Sequence, residues 1–207
     1  MQRGVSARPR RSCGCWATAL AALLVGCSAA LVPLTPEQSA GLEEAQRVTD
    51  RVTRAYGVRG VRVYATTELR PTSAAAYLPL QDWIFIRPKL LTGNRFLVVF
   101  THELGHVTLD HRRVDLPREQ LRALIADQER AANRRGVEIM VRFLGVTERQ
   151  ALEHYATYLV AASWARKDRG VFLPFGHPLP CALLRDLWAS FGQPPPPCEA
   201  PVPETAE

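Results

Sequence analysis

The chain is poor in the features that mark nucleotide, redox and nucleic-acid proteins. Its 207 residues contain no glycine-rich phosphate loop, no redox-cofactor motif and no internal repeat, which sets aside nucleotide-driven, electron-transfer and solenoid classes. Long hydrophobic runs are missing too: the apolar stretch at residues 16–25 is too short to span a bilayer comfortably. Cysteine is scarce, and two of the five, Cys13 and Cys15, fall within the first 26 positions. Acid is absent from those 26 positions, where Arg3, Arg8, Arg10 and Arg11 lie. With 26 Lys+Arg against 20 Asp+Glu the chain carries +6, but without these four arginines the balance is 22 against 20, or +2. No nucleic-acid partner is therefore expected. What is present is a 47% hydrophobic, 22% charged composition, enough for one globular core.

Residues 1–26 read as an export signal: an arginine-rich opening, an apolar run, then the small residues Gly26, Cys27 and Ser28. The segment Leu24-Val25-Gly26-Cys27 resembles the lipobox of bacterial lipoproteins. That resemblance implies cleavage before Cys27, which becomes a lipid-modified N-terminus and a membrane anchor, each buried methylene contributing about 0.8 kcal/mol. An ordinary cleaved signal with an incidental cysteine is the other reading. The lipoprotein reading places the chain on the periplasmic face of the cell envelope, and Ser28 after the cysteine resembles the type sorted to the outer membrane rather than the inner. The organisation that follows is a signal at 1–26, a linker at 27–36, a folded domain at 37–192 and a proline-rich tail at 193–207. Cys181 and Cys198 then remain in the mature body. An even pair in an oxidising compartment points to a disulfide tying the tail to the last helix, worth about 3 kcal/mol; two separate thiols are the alternative.

Hydrophobic periodicity predicts an α+β fold, mainly helical, with a small sheet before the most distinctive motif. Residues 37–56 set Leu42, Ala45, Val48, Val52 and Ala55 at helical spacing, and Gly57 stops the run. Val61-Arg62-Val63-Tyr64-Ala65 alternates as a half-buried strand does, and Trp83-Ile84-Phe85-Ile86 reads as a second strand. Residues 94–110 form a mostly buried helix. A second long helix runs from after Pro117 towards Leu144, with Leu121, Leu124, Ile125, Val137, Met140 and Val141 as core candidates. A third covers 148–166, and a fourth follows the Gly176-His177-Pro178 turn through Phe191. Pro194-Pro195-Pro196-Pro197 excludes a regular element in the tail.

The motif is His102-Glu103-Leu104-Gly105-His106. On a helix, i, i+4 spacing puts both imidazoles on one face within reach of a single zinc ion, and Glu103 stands beside the open coordination position as a general base. A catalytic site of this kind takes a third protein ligand. Glu129, on the next helix and 23 positions after His106, is the candidate, since Ala132 and Gly136 would let the two helices approach closely. Asn133, one turn on, is placed to accept the distal N–H of a ligand histidine. His111, five positions past His106, is rotated off the ligand face of an ideal helix and reads as a helix-end residue.

His102-Glu103-Leu104-Gly105-His106-Val107 with His111, followed by Glu129-x-x-Ala132-Asn133-Arg134-x-Gly136-Val137-Glu138, resembles the HtpX and CAAX-prenyl-protease type of gluzincin metallopeptidase. Those enzymes read HExxH, then ExxAD. The likeness extends over about residues 72–146, where Ala74-Ala75-Ala76-Tyr77, Trp83-Ile84-Phe85-Ile86 and Leu90-Leu91 resemble the family's edge-strand region. It implies a zincin-like fold, Zn²⁺ on His102, His106 and Glu129, and Glu103 as base. Asn133 stands where the family has Asp, and the interval between motifs is short, features shared with ImmA-type metallopeptidases of the same chemistry. His177-Pro178 with Arg185 resembles the family's C-terminal "HP…R" element, which makes His177 a catalytic candidate facing the transition state; His154, Tyr155 and Tyr158 are its rivals. The resemblance implies an endopeptidase acting on peptide or unfolded protein, with the edge strand near Ala74 to Tyr77 or Trp83 to Ile86 binding extended substrate by strand addition. A catalytically silent metal-binding lipoprotein, acting in assembly or binding, is the alternative.

Overall fold

The computed structural model describes residues 32–69, 73–93, 95–112, 114–169 and 175–198, the last six of α4 below as backbone only. The export segment, Cys27 and residues 199–207 lie outside these. Among the described residues the fold is α+β, with five helices and one three-stranded sheet. The order is α1 (Pro36–Tyr56), β1 (Arg62–Ala65), β2 (Ala75–Leu78), β3 (Trp83–Ile86), α2 (Phe96–Thr108), α3 (Arg118–Leu144), α4 (Glu148–Arg169) and α5 (Pro180–Ser190). No helix among the described residues is long and apolar enough to cross a membrane.

Helix α1 starts at a capping box: the Gln38 N–H donates to the Thr35 hydroxyl, and the Thr35 N–H to the Gln38 side chain. Its buried stripe is Ala45, Val48 and Val52 together with Thr49 and Thr53, whose hydroxyls donate to the carbonyls four residues back. Those two threonines shift the stripe, so Ala55, expected inside, is exposed. On α3, Ile139 is buried and Val141 is 40% exposed, against expectation.

The sheet runs β1-β3-β2, with β1 parallel and β2 antiparallel to β3. Trp83–Ile86 is therefore the central strand, which removes it as a candidate substrate edge. Val63, Ile84, Ile86 and Ala75 turn inward and pack with α1 and α2, while Tyr64, Trp83 and Phe85 shelter one another on the outer face. A second core joins Val137 and Met140 of α3 to Leu152, Tyr155 and Leu159 of α4 and Leu184 and Leu187 of α5. Helices α2 and α3 contribute to both cores and lie between them.

Candidate metal centre

The site is built on that seam. Helix α2 is uncharged through its first six residues, and its Val98, Val99, Phe100 and Leu104 are buried, so it runs as an apolar rod that carries the motif inward. Helix α3 crosses it at very short range. A Cβ on Gly105 would lie 2.5 Å from the Ala132 carbonyl oxygen, and one on Gly136 would overlap the Tyr155 hydroxyl. Only hydrogen fits at either place, and the close approach brings Glu129 of α3 to the two histidines of α2.

His102 Nε2 and His106 Nε2 are 3.1 Å apart; Glu129 Oε2 is 3.3 Å from the first and Glu129 Oε1 3.4 Å from the second. A tetrahedral ion with bonds of about 2.0–2.1 Å needs donor–donor edges of about 3.3–3.4 Å, and each of these spacings is near that length, with His102 facing one Glu129 oxygen and His106 the other. Among the described residues this trio, with Glu129 buried and both histidines half-buried, is the group that could hold a metal ion. The electrostatics agree with a cation-binding cluster. Burial works to raise the Glu129 pKa, but His102 and His106 beside it outweigh that and hold the carboxyl well below its usual range. Burial likewise works against charge on His102, but Glu129 pushes it up to about 9.

Each imidazole is held from behind. His102 Nδ1 lies 2.9 Å from Asn133 Oδ1, and with the proton on Nδ1 the metal-facing Nε2 keeps its lone pair. The Asn133 amide nitrogen is buried with no partner among the described residues, so the carboxamide has one use here, towards His102. His106 Nδ1 lies 2.9 Å from His111 Nδ1. His111 was expected merely to end the helix; instead the chain turns back after Thr108 and returns its ring to His106. Burial and the neighbouring His106 push His111 down to about 4, so it stands there as a neutral ring.

Glu103 Oε2 accepts the Tyr77 N–H at 2.9 Å, which pins the carboxylate to strand β2. The Arg87 N–H donates to the Ala74 carbonyl, so the main-chain groups of Ala75 and Tyr77 alternate away from β3. No sequence signal could have identified the Tyr77 contact, because the donor is main chain. His177, in the turn before α5, places Nδ1 3.4 Å from Glu129 Oε2, and burial pushes its pKa down. Tyr155 is fully buried against Thr101, 3.3 Å between hydroxyl oxygens, as a core residue. For Tyr158, burial raises the pKa and the Glu103 charge adds to the rise. Arg185, the arginine of the "HP…R" likeness, is exposed on α5. Cys181 of α5 and Cys198 are joined in a disulfide, their Cα atoms 5.6 Å apart.

No family model, curated protein or solved structure matches this chain. The meaning of the site therefore rests on its own geometry.

Proposed function

We propose that this chain is a zinc-dependent endopeptidase of the HtpX and CAAX-prenyl-protease type, with a zincin-like fold, held to the periplasmic face of the bacterial envelope by lipidated Cys27. One observation carries the reading: two imidazoles and a carboxylate gathered where one ion could take a ligand atom from each, with Glu103 next to His102 on the same helix. Two histidines and a glutamate form a donor set suited to hydrolytic zinc. Bound there, zinc supplies a Lewis acid that brings the pKa of water towards about 7 and polarises a carbonyl.

The residues divide the remaining work. Glu103 takes the proton of the attacking water and returns it to the leaving amine, and the Tyr77 N–H on Oε2 leaves Oε1 to carry that proton. His177 serves as a second donor to the developing oxyanion, worth about 3 kcal/mol. The outward main-chain groups of β2 bind an extended peptide as an added strand, which fits an unfolded-protein substrate with little sequence preference.

Purified mature protein should carry about one zinc per chain and cleave casein. Glu103→Gln should retain the zinc and lose activity by about 10³-fold, within the range of general acid–base catalysis. Zinc without cleavage in the wild type would turn the reading towards a binding or assembly lipoprotein. Absence of zinc would overturn it.

A further inference from the structure

We propose that the turn ending α2 is itself part of the metal centre, with His111 as a positioning residue that fixes the His106 ring through a helix-capping motif. The inference rests on the metal-binding reading of His102, His106 and Glu129 and extends it by one residue. Helix α2 ends at Thr108, and Asp110 adopts left-handed backbone with φ 50°. Two hydrogen bonds close this end: Asp110 N–H to the Val107 carbonyl at 3.1 Å, and His111 N–H to the His106 carbonyl at 3.0 Å. These are the 5→2 and 6→1 bonds of the Schellman motif, which brings the residue after the left-handed position back onto the last helical turn.

In such motifs that pair of residues commonly meets through an apolar contact. Here the pair is His106 and His111, and the contact is polar, Nδ1 to Nδ1 at 2.9 Å. Two ring nitrogens at that distance share one proton. His106 Nε2 faces His102 and Glu129, so a neutral His106 that offers Nε2 to a metal carries its proton on Nδ1. His111 Nδ1 then accepts that proton's hydrogen bond. His111 thus holds His106 twice, through its backbone N–H and its ring. The five-residue spacing, which points the wrong way on a straight helix, is the spacing the capping turn requires. Asn133 does the same for His102 through its side chain, 2.9 Å away. Both rings lean on uncharged acceptors, so these partners supply orientation without added negative charge.

The test separates this role from simple helix capping. His111→Leu keeps both backbone bonds and the apolar contact usual in the motif, and removes the acceptor; His111→Gln restores a side-chain carbonyl. Zinc dissociation constants of the full mature chain are measured by competition with a chromophoric chelator. The visible absorption of the Co²⁺-substituted protein and the metal-free melting temperature are recorded beside them. His111→Leu should bind zinc about 10–100-fold more weakly and alter the cobalt spectrum, with the metal-free melting temperature unchanged, and His111→Gln should recover most of the affinity. Wild-type affinity and spectrum in His111→Leu, or no recovery in His111→Gln, would remove His111 and leave the metal reading intact. A wild type that binds neither ion would overturn both.

Discussion

The two outer strands of the sheet are closed in opposite ways. On β1 the Gln46 carboxamide accepts the Val63 N–H and donates to the Val61 carbonyl, each at 2.9 Å, as a neighbouring strand would. On β2 the Tyr77 N–H goes to Glu103, a carboxylate with chemistry of its own in the proposed mechanism. A neutral amide that satisfies both donor and acceptor seals an edge against unwanted pairing. A carboxylate that takes one N–H leaves the outward carbonyls of β2 to other partners. The edge away from His102, His106 and Glu129 is sealed, and the edge tied to Glu103 is the one the proposed function assigns to a substrate strand.

The largest expected effect removes the strand that both edges share. Ile84 is fully buried in β3, so Ile84→Ala should destabilise the protein by about 2–5 kcal/mol in urea unfolding and loosen both sides together. Gln46→Leu should lower stability by about 1–3 kcal/mol by leaving the Val61 and Val63 groups without a protein partner. Zinc content and kcat should be unaffected, and a fall in kcat would break the contrast between the edges. Tyr77→Pro removes the N–H that Glu103 accepts and, because that N–H points away from β3, spares the ladder. Its kcat should fall by about tenfold, or about 1.4 kcal/mol, with a smaller change in KM.

The smallest effect is on pH dependence. In metal-free protein, His102, raised from 6.5 to about 9, contributes stability that is complete below pH 6.5 and is lost as pH rises through about 9. Glu129, lowered from 4.5, contributes stability present above pH 4.5 and lost on acidification. The metal-free melting temperature should therefore decline by a few degrees between pH 6.5 and 9.5. Bound zinc should oppose this trend, since the metal competes with the protons of its ligands. The decline should persist in Gln46→Leu, because the Gln46 amide bonds Val61, Val63 and Asp50 and none of the three candidate metal ligands. If the decline disappeared with Gln46, the pH dependence would not belong to the metal centre.

Much of the architecture was legible because the relevant signals are local. Helical spacing from Leu42 to Val52 with Gly57 as its stop marked α1, and alternation over Val61 to Ala65 and the apolar run Trp83 to Ile86 marked two strands. Ala75–Leu78 was visible only as part of an edge-strand resemblance, since Ala75 and Ala76 are weak strand formers and β3 supplies their pairing. Ala55 and Val141 were misplaced because the breadth of a buried stripe depends on what packs against it. His111 was misread for a related reason: helical periodicity was carried past the point where Asp110 turns the chain.

The sequence by itself determined that His102 and His106 share a helix face with Glu103 between them, because helical rotation per residue is fixed by backbone geometry whatever surrounds it. Only the tertiary structure decided that Glu129 stands 3.3 and 3.4 Å from those rings, that His111 returns to His106 and that a main-chain N–H of β2 holds Glu103. Those distances follow from two cores drawing α2 and α3 together at Gly105 and Gly136, and from a backbone donor that every residue but proline possesses.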